Sequence, residues 1–234
     1  MSFCCAAESQ FGPKVAERDL RNYRRRGADT VTKLILAQLR HWPLQDKRLL
    51  NIGGGIGVIS AELAADGIAS ATLVEASPAY LEVARQELQS RYGSRSTQFL
   101  LGDFARIADT LPDADVITLD RVVCCYPDAE DLLRGAATRT LQLLAFSYPR
   151  DHWYMRTTTA VQNFLRWMKG KAFRTFVHSP QQMSGVLERA GLVRAATQGT
   201  LAWMVDLYCR VGDTPDALDA REGQYIRKLS AGSI

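Results

Sequence analysis

Nowhere in its 234 residues does the chain sustain an apolar run long enough to span a bilayer, which takes about 20 residues. No transmembrane segment is therefore expected, although peripheral membrane contact stays open. The first residues, MSFCCAAESQFGPKVAERD, lack a basic start followed by an apolar stretch, so no secretory signal is expected and a cytoplasmic location is assumed. The five cysteines are odd in number, and two pairs are adjacent, Cys4-Cys5 and Cys124-Cys125. That pattern argues against a disulfide framework, and it lacks the C-x2-C spacing usual for a tetrahedral zinc site. No metal centre is expected. A strong overall charge is also missing: a mildly basic net +4 is by itself no nucleic-acid signature, and DNA is not expected as a partner.

What is present is ordinary globular composition, 47% hydrophobic and 23% charged. The length suits one α/β domain with an added cap. Residues 13–42 read as helical, broken at Gly27. Short apolar runs then alternate with helical patterns: RLLNI, ATLVE, TQFLL, DVITL and LLAFSY, with VISAELAADG, PAYLEVARQELQSRYG and AEDLLRGAATRT between them. This alternation predicts a parallel sheet with helices on both faces. Two further strand-like runs, LVRAATQ and LAWMVDLYCRV, bring the count to seven and make the sheet mostly parallel. The boundaries expected are a helical lid at 1–44, a ligand-binding domain at 45–211 with an insert at 150–178, and a polar tail at 212–234. In SPQQMSGVLERAG, Ser179 reads as an N-cap with Pro180 at the first helical position.

The strongest local signal is LLNIGGGIGVIS. A strand ends at Ile52, Gly53, Gly54, Gly55 and Gly57 follow, and a helix begins. Glycine lets backbone approach a ligand closely, and the helix start offers free N–H groups. The dinucleotide fingerprint G-x-G-x-x-G is not met, since Val58 stands where its third glycine belongs. No Gly-Lys-Ser/Thr follows, so the loop is not a P-loop either. The second strand ends in Glu75, a bidentate acceptor suited to two ribose hydroxyls, with Ala76 beside it. The third runs into Gly102-Asp103-Phe104, where Asp103 can accept from an adenine amino group and Phe104 can stack on the ring. These parts suit an adenosine with a free ribose and no pyrophosphate.

The ordered set NIGGGIG, LVEAS, GDF and VITLD resembles the class I S-adenosylmethionine-dependent methyltransferases across residues 30–211. The resemblance implies a Rossmann-like α/β fold, S-adenosyl-L-methionine as cofactor and S-adenosyl-L-homocysteine as product. It also implies contacts from Asn51, the glycine loop, Glu75, Ala76, Asp103, Phe104, Asp120 and Arg121. The family usually carries an acid two residues before the first glycine, where this chain has Asn51. Either cofactor affinity is lower, or Asp120 takes over the charge opposite the methionine ammonium.

Methyl transfer from a sulfonium is an in-line displacement, for which holding donor and acceptor in line can supply much of the rate. A base is needed only if the acceptor must lose a proton. In RNYRRRGAD, Tyr23 and Arg25 belong either to a solvated basic face or to a lid that attracts an acidic acceptor. Residues 150–178 hold six Lys or Arg and one acid, interleaved with aromatics. They form either an amphipathic helix packed on the domain or the wall of an apolar acceptor site, with Arg150 and Tyr154 as candidate contacts. Among the three histidines, His152 and His178 are candidate acid/base groups and His41 reads as structural. A narrower similarity is to the magnesium-protoporphyrin O-methyltransferases, carried by LDRVVCCYPD, LLAFSYPRDHWYMR and FVHSPQQMSGVLERAGL. It adds Cys125 and Tyr126 as catalytic candidates, Cys125 standing where that family places a histidine. The expected function is methyl transfer to a small-molecule acceptor, on an acidic or hydroxyl oxygen. The alternatives are an RNA methyltransferase, which is less favoured, and an arsenic- or thiol-dependent one. Oligomeric state is left open.

Overall fold

The computed structural model describes residues 10–92 and 97–212. Cys4-Cys5 and the tail from residue 213 onward lie outside the described residues. The strands are β1 Arg48–Ile52, β2 Ser70–Glu75, β3 Thr97–Leu101, β4 Ala114–Leu119, β5 Thr140–Pro149, β6 Leu192–Gly199 and β7 Trp203–Arg210. The helices are α1 Pro13–Arg26, α2 Thr30–Leu39, α3 Val58–Ala65, α4 Pro78–Tyr92, α5 Phe104–Ile107, α6 Ala129–Arg139, α7 Trp153–Met168 and α8 Pro180–Arg189. The seven strands join in the order β3-β2-β1-β4-β5-β7-β6. Neighbours from β3 to β5 run parallel, and β7 is antiparallel to both β5 and β6. The mostly parallel sheet expected from the alternation is the sheet observed, closed at one side by a hairpin.

Side chains alternate across each strand, so both faces of the central strands are buried. Leu50, Ile52, Ile117 and Leu119 pack on one face against α6 and α8. Leu49, Val116, Leu143 and Ala145 pack on the other against α2 and α3. Ile35, Leu36 and Leu39 of α2 are essentially fully buried there, each contributing roughly 1.5–3 kcal/mol of burial.

The N-terminal segment thus holds two helices of different kinds. Gly27 ends α1 in the left-handed region (φ +74°), and Asp29 caps α2 by accepting from the N–H groups of Val31 and Thr32 at 3.0 and 3.2 Å. Helix α1 lies over the cavity described below, whereas α2 is part of the core and reaches the cavity only with its N-cap Asp29 and first-turn Thr32. Ser179 does occupy the N-cap of α8, but its hydroxyl bonds to Gln181 Oε1 and makes no cap bond.

Candidate active site

Strand order reverses between β1 and β4, which opens a crevice at their C-terminal ends. The glycine loop after β1 and the loop after β4 form its lips around a cavity of about 530 Å3. The glycines are sterically required. A Cβ on Gly53 (φ +58°) would sit 2.4 Å from Val122 Cγ2, and one on Gly54 would sit 2.6 Å from Leu73 Cγ. Gly57 belongs to the helix instead: it is the N-cap of α3, faces α4 and does not line the cavity.

The loop is ordered around Glu75. Gly55 N–H donates to Oε2 and Ser77 N–H to Oε1, both at 2.9 Å. Burial pushes the carboxyl pKa above its ordinary value, and these N–H groups pull it partly back. A carboxylate offers about four acceptor positions, so about two remain for a ribose diol. Phe104, Gly102 and Ala76 line the neighbouring wall.

At the other end Asp120 is held from three sides. Its Oδ1 accepts from Ser147 Oγ (2.7 Å), and its Oδ2 accepts from Thr32 Oγ1 (2.6 Å) and from Arg121 (3.2 Å). Ser147 Oγ in turn accepts from Arg121 N at 2.7 Å. Arg121 adopts φ +59° and pairs with Asp29 at 2.7 Å. Burial works against its charge, but Asp120 and Asp29 more than offset that and raise its pKa. Asn51, in contrast, is engaged within the fold: its Nδ2 donates to Ser60 Oγ (3.0 Å) and its Oδ1 accepts from Thr118 Oγ1 (3.1 Å).

Helix α1 closes the cavity from above. Arg18, Asp19, Asn22 and Tyr23 line it, and i,i+4 spacing pairs Arg18 with Asn22 and Asp19 with Tyr23 on one helix face. Tyr23 Oη donates to Glu62 at 3.0 Å and Tyr80 Oη to Asp19 at 2.5 Å. Phe11 packs edge-on to Tyr80 with centroids 5.6 Å apart.

Residues 50–142 match the family described as a methyltransferase domain. The chain thus carries a methyltransferase domain on a class I methyltransferase fold. Its cofactor is S-adenosylmethionine, which fits a site with an acid for the ribose, an aromatic wall for the adenine and no pyrophosphate cradle. Among solved structures, magnesium protoporphyrin IX methyltransferase from Synechocystis PCC 6803 with bound SAM aligns at TM-score 0.67 and 17% identity. That alignment covers 90% of this chain and 98% of that one. An O-methyltransferase family protein from Burkholderia thailandensis aligns at TM-score 0.65 and 15% identity, covering 87% and 62%. Mitomycin 7-O-methyltransferase aligns at TM-score 0.57 and 23% identity, covering 90% and 61%. These likenesses establish the fold. No curated protein sequence matches the chain.

Several expected side chains lie elsewhere in the methyltransferase. Asp103 turns away from the adenine wall: its Oδ1 caps α5 through Ala105 N (3.2 Å) and accepts from Tyr126 Oη at 2.7 Å. Tyr126 still lines the cavity, as does Cys125. His178 does not. Its Nε2–H donates to the Tyr126 carbonyl at 2.9 Å, and burial lowers its pKa. Together with Phe176 N–H on the Cys124 carbonyl (2.7 Å), it straps the segment before α8 onto the loop after β4. His152 is exposed at the N-cap of α7, stacked on Tyr154.

Arg150 and Tyr154 are likewise outside the cavity. They bond to the Thr200 and Leu201 carbonyls and pin the β6–β7 turn. No residue of the 150–178 insert lines the cavity. Arg25 is exposed on α1 and does not line it. Composition and the family resemblance put these residues near the crevice, but which way each side chain faces depends on packing.

Cys124 and Cys125 are free thiols with sulfurs 3.8 Å apart. The hydrogen bond with Cys125 and burial push the Cys124 pKa well up. No group of three or more His, Cys, Asp or Glu able to hold a metal occurs among the described residues.

Proposed function

We propose that the enzyme methylates an oxygen of a small acidic acceptor, a tetrapyrrole propionate being the chemical type. The observation that carries this is where the candidate bases sit. His178 is bound to the Tyr126 carbonyl, His152 is exposed on α7, and the Tyr126 hydroxyl is given to Asp103. A carboxylate is already ionised near neutrality and needs none of them. An acidic acceptor also fits the mouth, where Arg18, paired with Asp19 at 3.1 Å, lines the cavity and keeps its side chain 60% exposed. The likeness to a magnesium protoporphyrin IX methyltransferase adds support of the fold-level kind.

The bound cofactor supplies the electrophilic methyl group, and the chain supplies alignment. Glu75 takes the ribose and Phe104 flanks the adenine. Asp120 and Asp29 face the ammonium, and the Arg121 guanidinium faces the carboxylate of the methionine part. Cys125 lies on the wall beside the transferred methyl as a small uncharged side chain. Tyr126 orders that wall through Asp103, and Tyr23 orders the lid through Glu62. A cavity of about 530 Å3 suits one ligand of the cofactor's size, so the bulk of the acceptor rests at the mouth.

The test is S-adenosylhomocysteine release with three acceptors: a propionate-bearing tetrapyrrole, a phenol and a short RNA. Mass spectrometry then locates the new methyl. A methyl ester on the propionate is expected. Methylated RNA, or methyl on nitrogen or sulfur only, refutes the reading.

A further inference from the structure

Helix α7 is amphipathic in the wrong sense for a helix packed on a domain. Its partly covered stripe is Met155, Thr159, Asn163 and Arg166. Asn163 and Arg166 bond to Thr175 through contacts of 2.7, 3.0 and 3.1 Å. At 3.6 residues per turn, the apolar stripe lies on the opposite side. There Trp153 is 78% exposed, Phe164 54%, Trp167 64% and Met168 58%. Leu201, 89% exposed at the β6–β7 turn, is tied to α7 by the Tyr154 hydroxyl on its carbonyl. A contiguous exposed apolar face of this kind marks an interaction surface.

Charge selects the partner. Residues 150–178 carry six Lys or Arg and one acid, Asp151, which Arg156 neutralises at 2.6 Å. A second copy would bring the same cationic rim against this one, and like charges oppose that pairing. RNA has bases to stack on tryptophan but no counterpart for an aliphatic stripe of Val161, Leu165 and Met168. Anionic headgroups above an acyl layer complement both features, and tryptophan favours that boundary. No described helix is long and apolar enough to cross a membrane, and α7, about 24 Å long, can lie only along the surface. We propose that α7 and the β6–β7 turn dock the enzyme on an anionic lipid surface.

The segment that follows the docked helix touches the cavity wall. The segment after α7 reaches Phe173, edge-on to the cavity-lining Phe11 with centroids 5.3 Å apart. An apolar acceptor dissolved in the bilayer would then enter from the lipid side. That consequence rests on the acceptor reading above, whereas the docking itself does not.

The experiment sediments the full chain with vesicles of phosphatidylcholine alone, or with about one third phosphatidylglycerol. Binding to the anionic vesicles, lost at high salt, is expected. Lys169→Gln with Lys171→Gln weakens it roughly 25-fold, about fivefold per charge. Trp153→Ser with Trp167→Ser weakens it at least about tenfold. Calorimetric S-adenosylhomocysteine binding stays unchanged in both variants, which separates failure of docking from failure of the cofactor site. Equal affinity for both vesicle types, a dimer that covers α7, or tighter binding to an RNA oligonucleotide would each overturn the proposal.

Discussion

Replacing Glu75 by Ala tests the centre of the cofactor site. The side chain is buried, and its two oxygens each accept a backbone N–H at 2.9 Å, from Gly55 and from Ser77. With the ribose bound, the remaining acceptor positions take two hydroxyl donors. A hydrogen bond to a charged group contributes about 1.5–3 kcal/mol, so losing two costs roughly 3–6 kcal/mol. Affinity should therefore fall about 10²- to 10⁴-fold, since 1.4 kcal/mol is a factor of ten. Glu75→Gln restores one oxygen but sets an amide NH2 against a backbone N–H, and should be intermediate. The assay is calorimetric titration with S-adenosylhomocysteine, which avoids turnover, beside thermal unfolding of the ligand-free protein. Burial holds the Glu75 pKa up, so its charge is a cost to the empty fold, and Glu75→Ala should unfold no more than a few degrees earlier. The ligand-induced rise in Tm should vanish. The same upward shift means that binding weakens on acidification at a higher pH than an ordinary carboxylate would give. Affinity within threefold of wild type in Glu75→Ala would refute the assignment.

Three other outcomes follow from the geometry. Ser147→Ala removes the hydroxyl that donates to Asp120 and accepts from Arg121 N. It should cost about 1–3 kcal/mol in chemical unfolding and weaken cofactor binding. Tyr126→Phe leaves buried Asp103 without its 2.7 Å donor, again for about 1–3 kcal/mol by denaturant titration. His178 has its pKa lowered by burial, so its contribution is present above the unfolded value near 6.5 and is lost as pH falls toward the folded value. Melting at pH 7.5 and 5.5 should show a loss on acidification that His178→Gln reduces, by at most about 1.4 kcal/mol per pH unit.

Much of the fold was legible because its signals are local. The strand runs appear where the alternation placed them, and the β1–α3 turn is fixed by glycines that admit no Cβ at Gly53 and Gly54. Glu75 could be picked out because strand length and the parallel sheet together set which residue ends at the crevice. Asp103 misled for the opposite reason. Its position was right, but a side-chain torsion and a tyrosine 23 residues away decide what it accepts from. Arg150, Tyr154, His152 and His178 carried suitable chemistry, yet the path of the insert sends them to the hairpin, to the surface and to a backbone carbonyl.

By itself the sequence determined the sheet, the glycine turn and the acid at the end of β2, since each follows from short-range periodicity or from one residue's steric limits. Only the tertiary structure decided that Asn51 is tied up between Ser60 and Thr118, and that Asp120 is clamped by Ser147, Thr32 and Arg121. It also decided that α1 covers the site while α2 joins the core, and that α7 turns its apolar side outward. Those outcomes depend on which face of a helix meets which neighbour. That choice is settled by contacts between residues far apart in the chain, and no local pattern encodes it.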